Sequence, residues 1–249
     1  MKKSDFIVVL PAYNEEQTIP TVIQKIENYF ACNQIIIADD GSTDRTREIS
    51  KKLGLKIIRN RHNHGKGHIL HNSFSVILKR FPNTKWILTM DADDQHCQKD
   101  IPNFIEAIEI NPNIDIVLGR RNYRQMPPFN LVSNTLTTGW CNYWLAWNLY
   151  DLQCGFRCYN TNGLQKIMNY GLSRNKFDFE TEILLVAWFL DLKIIDIPIV
   201  TLYPTNRRKS RVIPSIDTFR WILLILQFGF SLKFLRKIWK MRHMRQKNK

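Results

Sequence analysis

Three aspartates occupy four consecutive positions in the stretch MDADDQH, directly after the apolar run WILT. In an extended segment, residues two apart point to the same side, so Asp91, Asp93 and Gln95 can present oxygen atoms to one ligand. Such oxygens suit Mg²⁺ or Mn²⁺, and Mg²⁺ usually combines one or two carboxylates with substrate phosphates. The stretch predicts a site for a divalent cation and a phosphorylated ligand; a solvated acidic turn is the alternative.

A second acidic pair opens the stretch DDGSTD. Asp39 or Asp40 can accept a hydrogen bond from the N–H group of a nucleotide base. Gly41 allows the backbone to approach a ligand closely. Ser42 or Thr43 can cap the helix that follows. A plain capped turn, without a ligand, is the alternative interpretation of this stretch.

The elements that must position these residues alternate along the first half of the chain. Short apolar runs predict strands at 5–10, 34–39, 55–60, 85–90 and 114–119, and amphipathic spacing predicts helices at 14–30, 42–53, 65–81 and 101–111. Repeated β-α units imply an α/β fold with a mostly parallel sheet flanked by helices. Ligands bind beyond the carboxyl ends of such strands, and the polar motifs follow the first, second and fourth strands.

Charge defines the class of partner. The chain has 249 residues, enough for one large domain with a sizeable core, and a formal net charge of +14 with a pI near 9.7. This excess of basic residues favours a polyanionic partner: a nucleic acid, an anionic membrane surface or a phosphate-rich ligand. The basic residues cluster in the tail, and no RRM, KH or helix-turn-helix signature is present, which argues against nucleic acid.

Aromatic and basic residues in the second half indicate a membrane surface. Trp140, Trp144 and Trp147 fall at helical spacing on one face, and aromatic rings favour the bilayer interface. The apolar run 221–230 is too short to span a bilayer and precedes a polybasic tail. We therefore expect a catalytic domain at 1–212, an amphipathic, basic helical segment at 213–249, and a peripheral location on the cytoplasmic face without a transmembrane helix or signal peptide. Core packing of the tryptophans and a solvated charge run are the alternatives.

Four motifs together resemble the family 2 glycosyltransferases. VVLPAYNEE, IIIADDGSTDRT, GKG and MDADDQH occur in the order and spacing of that family over about residues 5–120, and the resemblance continues more weakly through DLQCGFR, FDFETEIL and IPIVTLY. Within the family, the D-A-D-x-Q-H and G-F-R motifs are most similar to those of the dolichyl- and polyprenyl-phosphate sugar synthases.

The resemblance implies a GT-A fold and inverting transfer of a hexose from a nucleotide-diphosphate sugar, assisted by Mg²⁺ or Mn²⁺. It assigns the metal to Asp91, Asp93 and Gln95, and catalysis to Asp91, Asp93 and Arg121. The donor would contact Pro11, Tyr13, Glu15, Asp39, Asp40, Lys66, Asp91, Asp93 and Arg211. The acceptor would contact Arg121, Ser133, Arg157 and Arg208.

Two acceptors remain open. A polyprenyl phosphate is already ionised near neutral pH and needs no general base, whereas a sugar or lipid hydroxyl does. Glu180 and Glu182 are the candidate bases, with an acidic helix start as the alternative interpretation. Asp151 is expected to brace Arg157 or another loop residue. The sequence also departs from the synthases, because Phe129 stands where they carry an arginine four residues before the serine at Ser133.

Overall fold

The structure, a computed structural model, describes residues 2–123, 126, 128–173, 178–202, 224 and 237, without the side chains of 128–130 and 133. Within these residues one sheet contains strands β1 (Phe6–Ala12), β2 (Ile35–Asp39), β3 (Lys56–Arg59), β4 (Trp86–Thr89), β5 (Ile116–Arg120), β6 (Arg157–Asn160) and β7 (Ile194–Pro198). The helices are α1 (Ile19–Ile26), α2 (Thr46–Lys52), α3 (Lys66–Arg80), α4 (Ile101–Ile110), α5 (Pro128–Leu145), α6 (Thr161–Tyr170) and α7 (Phe179–Phe189).

The strand order across the sheet is β3-β2-β1-β4-β6-β5-β7. β6 runs antiparallel to both of its neighbours, and the remaining pairs are parallel. The mostly parallel sheet is as predicted, whereas the reversed β6 was not foreseen. Because β6 is reversed, its amino end meets the carboxyl ends of the other strands, and this edge collects the polar motifs.

Helices cover both faces of the sheet, which confirms the predicted layers. Alternate residues of β1 point to opposite faces, so Ile7 and Val9 join one core while Val8 and Leu10 join the other. The first core contains residues of α3, α6 and α7, and the second contains residues of α1 and α4. Burial on both sides explains why these strands are nearly continuous apolar runs.

The first two helices begin later than predicted. The expected helix 14–30 forms only as α1, and Asn14 adopts a φ of 56° in the loop before it. The expected cap at Ser42 or Thr43 is wrong, because α2 begins at Thr46 and lacks a side-chain cap. The Ser42 hydroxyl instead accepts a hydrogen bond from the Asn14 amide at 2.9 Å. Tertiary contacts between the two loops replace the local cap.

Candidate active site

The loops after β1 and β2 are tied together by side-chain hydrogen bonds. The Glu15 amide donates to the Thr46 hydroxyl at 2.7 Å, and the Thr43 amide donates to the Asn14 side-chain oxygen at 2.8 Å. These bonds fix the wall on which Pro11, Tyr13 and Glu15 lie half-buried. The three residues expected at the nucleoside therefore lie at the carboxyl edge of the sheet, at the end of β1 and in the loop that follows it.

The two aspartates after β2 are buried and make different contacts. Asp39 accepts from the Ser42 amide at 2.8 Å, and its other oxygen lies 3.0 Å from Arg59 Nε. Asp40 accepts from Asn60 Nδ2 at 2.7 Å and from the Gly65 amide at 2.7 Å. Asp40 thereby fixes the loop that leads into α3. Contact of either carboxylate with a base stays a prediction.

Gly41 is needed for the packing of two loops, and not for the close approach to a ligand that the sequence suggested. Its φ is +76°, and a Cβ there would lie 2.6 Å from the carbonyl carbon of His62. The backbone after β2 thus contacts the backbone of the loop after β3 too closely for any side chain. The glycine permits packing between two loops of the site, where the sequence suggested close approach to a ligand.

The acidic stretch after β4 forms a turn. The expected extended segment is wrong, because Asp94 adopts a φ of 59°. Gln95 donates from its amide to Asp93 Oδ1 at 3.1 Å and from Nε2 to Asp93 Oδ2 at 2.6 Å. The carboxylate of Asp94 accepts from Lys25 Nζ at 2.8 and 2.7 Å. Asp93 and Gln95 still lie together, and an ion pair to α1 fixes the turn beside them.

A charged cluster forms where Asp91 meets the start of α3. Lys66 Nζ lies 2.6 Å from Asp91 Oδ1 and 3.1 Å from Glu180 Oε1, and His96 Nε2 lies 3.2 Å from Asp91 Oδ2. Burial alone would lower the pKa of Lys66, but Asp91 and Glu180 raise it above its usual range. Burial would raise the pKa of Asp91, but Lys66 and then His96 hold it well below its usual range. Lys66 and Asp91 are therefore both ionised at neutral pH.

The acidic turn fits a divalent cation by the chemistry of its donors. Burial and the nearby charge of Asp91 raise the pKa of Asp93, so two carboxylates share a site that a cation would stabilise. Asp91, Asp93 and Gln95 offer the hard oxygens that Mg²⁺ and Mn²⁺ prefer. Among the described residues, no three acidic, histidine or cysteine side chains converge in metal-binding geometry. Phosphate oxygens of a substrate would complete such a donor set.

Gly155, just before β6, leaves room for this cluster. A Cβ at Gly155 would lie 2.6 Å from Lys66 Nζ and 2.7 Å from Asp91 Oδ2. Sequence reasoning did not single out this glycine, although it belongs to the GFR motif. The GFR motif was the only sequence signal for Gly155. That signal could not be interpreted without knowing that β6 runs antiparallel to its neighbours.

We expect Gly155→Ala to lower kcat/KM for sugar transfer about 100-fold, because both charged groups must shift by about 1 Å. The two groups are ends of flexible side chains, so the melting temperature should change by only a few degrees. Gly139→Ala is the matched control, since nothing lies within 4 Å of its added Cβ. Equal kcat/KM values for the two variants would contradict this role of Gly155.

Arg121 lies after β5 and is held by a buried carboxylate. Arg121 Nε and Nη2 donate to Asp151 at 2.7 and 3.0 Å, and Asn134 of α5 donates to the same carboxylate at 2.8 Å. Burial would raise the pKa of Asp151, but Arg121 lowers it below the usual range. Asp151 therefore braces a loop residue, as expected, and that residue is Arg121. These hydrogen bonds, called the Arg121–Asp151 bracket below, hold Arg121 at the edge of the sheet that carries the other site residues.

Arg157 and Glu182 are enclosed by the protein. Arg157 is fully buried and donates to three backbone carbonyls, those of Leu152, Cys154 and Glu180, at 2.6 to 2.7 Å. This geometry contradicts the expected contact of Arg157 with an acceptor. Glu182 is buried and accepts from the Ser173 amide at 2.9 Å and from its hydroxyl at 2.7 Å.

Three expected contacts fall outside what the structure describes. Arg208 and Arg211 lie outside the described residues, and Ser133 is described only as part of α5. Their assignments to donor and acceptor stay predictions.

The prediction that Trp140, Trp144 and Trp147 form one helical face is wrong. α5 ends at Leu145, so Trp147 lies beyond it, and Trp147 and Trp140 pack against the core. Of the predicted tryptophans, Trp144 is exposed, by 37%. Among the described side chains of α5, Val132, Leu136 and Tyr143 are more exposed, by 59, 63 and 71%. Across the described part of the chain, no helix has the length and hydropathy to cross a membrane.

Two described residues of the C-terminal segment contact the domain. Leu224 is fully buried in the core that contains α7. Lys237 Nζ donates to the carbonyls of Trp188 and Phe189 at 3.0 and 2.8 Å and to Asp191 Oδ1 at 2.6 Å. Lys237 therefore caps the C-terminus of α7, where a cation is favourable.

The sequence profile of "Glycosyl transferase family 2" matches residues 7–168. The UDP-N-acetylglucosamine–dolichyl-phosphate N-acetylglucosaminyltransferase of Methanococcus voltae is 29% identical over 89% of this chain and 96% of its own. The dolichyl-phosphate hexose transferase of Haloferax volcanii is 29% identical over 68% of this chain and 73% of its own.

A solved structure shares the fold. Glucosyl-3-phosphoglycerate synthase from Mycobacterium tuberculosis, in complex with Mn²⁺, UDP-glucose and phosphoglyceric acid, superposes with a TM-score of 0.71 at 18% identity. The match covers 89% of this chain and 78% of that one.

Proposed function

Because the chain belongs to glycosyl transferase family 2, we propose that it transfers a hexose, with inversion, from a nucleotide-diphosphate sugar to a polyprenyl phosphate such as dolichyl or undecaprenyl phosphate. The similarity to two enzymes named for dolichyl phosphate supports this acceptor. The Mn²⁺ and UDP-glucose in a structure of the same fold are consistent with a metal-dependent donor site.

The residues of the site divide between donor and acceptor. Pro11, Tyr13, Glu15 and the aspartates after β2 form the nucleoside side, and Asp91, Asp93 and Gln95 would hold Mg²⁺ or Mn²⁺. The metal would neutralise charge on the departing diphosphate. Lys66 adds a fixed positive charge on the same side of the site. Arg121, held by Asp151, would orient the acceptor phosphate as it attacks the anomeric carbon.

The observation that carries the choice of acceptor is that both candidate bases are already engaged. Glu180 pairs with Lys66 at 3.1 Å, and Glu182 accepts hydrogen bonds from Ser173. A hydroxyl acceptor needs a carboxylate that can take its proton, whereas an ionised phosphate needs only positive charge to hold it. The arrangement around Arg121 and Lys66 therefore favours the phosphate over the hydroxyl.

The proposed place of reaction is the cytoplasmic face of a membrane. Val132, Leu136 and Tyr143 form an exposed apolar strip on α5, and the opposite side of this helix supplies Asn134 to the Arg121–Asp151 bracket. An apolar strip with a basic segment elsewhere in the chain favours an anionic bilayer surface. The division into a domain at 1–212 and a membrane-associating segment at 213–249 is part of this proposal.

The test is a transfer assay with a panel of sugar nucleotides and Mn²⁺ or Mg²⁺, with and without a polyprenyl phosphate in detergent. We expect nucleoside diphosphate release that depends on the lipid, with the sugar recovered in the lipid fraction. Release that is indifferent to lipid phosphate but rises with a sugar or lipid hydroxyl would overturn the proposed acceptor. Retention of the sugar configuration in the product would overturn the inverting mechanism.

A further inference from the structure

The buried carboxylate of Glu180 is placed to hold the ammonium group of Lys66. Glu180 is 4% exposed at the start of α7, and its backbone carbonyl accepts from Arg157 Nη1 at 2.7 Å. Its side chain meets Lys66 at 3.1 Å. Arg157 thus holds the backbone at Glu180, while the buried carboxylate of Glu180 pairs with Lys66.

Lys66 has two anionic partners of unequal character. Asp91, the nearer at 2.6 Å, lies in the acidic turn and is 30% exposed at its side chain, whereas the side chain of Glu180 is 6% exposed. Any divalent cation that binds Asp91 competes with Lys66 for that carboxylate. Glu180 lies deeper and contacts the lysine from another element of the fold, so it can keep its ion pair during this exchange.

We propose that Glu180 is a positioning residue that retains the Lys66 ammonium beside the diphosphate site when Asp91 turns to the metal. This inference rests on the proposed function and assigns Glu180 a task other than proton transfer. Lys66 and the metal then act as alternative cations for one carboxylate. With the metal bound, Glu180 would neutralise Lys66 while Asp91 and Asp93 together would neutralise the divalent ion.

The first test measures Mn²⁺ binding without nucleotide, by electron paramagnetic resonance of the free ion. Lys66→Met should bind Mn²⁺ about three- to tenfold more tightly than the wild type, because its competitor for Asp91 is gone. Glu180→Gln should bind Mn²⁺ about threefold more weakly, because Lys66 then depends on Asp91 alone. Unchanged or weaker Mn²⁺ binding by Lys66→Met would overturn the exchange.

The second test separates positioning from proton transfer. With Mn²⁺ present, Lys66→Met should bind UDP or GDP about tenfold more weakly by calorimetry. Glu180→Gln should raise the donor KM about tenfold while kcat at saturating donor stays within about threefold. Glu180→Asp should recover part of the lost affinity, and the surface variant Glu106→Gln should match the wild type. A collapse of kcat with unchanged KM in Glu180→Gln would identify a base and overturn the proposal.

The two proposals can fail separately. An absence of transfer from every sugar nucleotide would remove the proposed function, but the Mn²⁺ titrations would still decide whether Lys66 and the metal compete for Asp91. If Glu180→Gln unfolds because a buried lysine loses one of its two partners, the result for Lys66→Met still decides the exchange. Transfer to lipid phosphate with no change in Mn²⁺ affinity in either variant would sustain the function and overturn the role of Glu180.

Discussion

Asp91→Asn and Asp93→Asn are each expected to reduce sugar transfer about 1,000-fold or more, while the fold persists. Each substitution removes one charged oxygen ligand from the proposed metal site. The effects on stability should differ. Asp91→Asn weakens the ion pair with Lys66, which keeps Glu180, so the melting temperature should fall by only a few degrees.

Asp93→Asn should leave stability unchanged or raise it slightly. The main contacts of Asp93 in the turn are hydrogen bonds from Gln95. Burial and the charge of Asp91 destabilise its ionised form and raise its pKa. An asparagine removes that repulsion and keeps one acceptor oxygen. A variant that is stable yet inactive is the expected signature of a residue that serves function at the expense of stability.

Transfer by lipid assay and thermal unfolding by circular dichroism would check both variants. Asp94→Asn is the comparison within the same turn, because asparagine also tolerates a positive φ and Asp94 pairs with Lys25. Its loss of activity should be about tenfold or less. Wild-type turnover in Asp91→Asn and Asp93→Asn would remove the metal from this turn.

The largest effect on stability is expected from Arg157→Met, at about 3–5 kcal/mol. The side chain is fully buried and satisfies the carbonyls of Leu152, Cys154 and Glu180. Methionine fills a similar volume but donates no hydrogen bond, so three carbonyl groups would be left without these donors. The change should also loosen the start of α7, because one of the carbonyls belongs to Glu180.

Urea unfolding would measure the effect as a lower midpoint at an unchanged slope. The control is Arg47→Met on the exposed surface of α2, which should stay within about 0.5 kcal/mol of the wild type. If Arg157→Met unfolds like the control but loses acceptor affinity, the expectation from the sequence that Arg157 binds the acceptor would be restored.

Much of the first half of the fold could be predicted because its signals are local. Short apolar runs bounded by polar turns define β1, β2 and β4, and their burial on both faces leaves little choice of structure. The late start of α2 could not be predicted, because its cause is the contact of Asn14 with Ser42, twenty-eight residues apart. The antiparallel direction of β6 likewise depends on the pairing of distant strands.

In the candidate site, too, local features could be predicted and contacts between distant residues could not. The types of its residues were visible in the sequence, since Asp91 and Lys66 stand in recognisable motifs. Their pairing was not, because it joins the end of β4 to the start of α3 and to α7. Arg157 was assigned to the acceptor from its motif alone; its complete burial follows from its place in the reversed strand β6. Motifs identified which residues matter, and topology decided what each one touches.

The contacts of Leu224 and Lys237 complicate any experiment that shortens the chain. A truncation to residues 1–212 would keep every strand of the sheet described here, but it would remove a buried leucine from the core and the lysine that caps α7. Loss of membrane association in such a protein would therefore have two causes at once. Substitutions of basic residues other than Lys237 in the intact tail would separate lipid attraction from damage to α7.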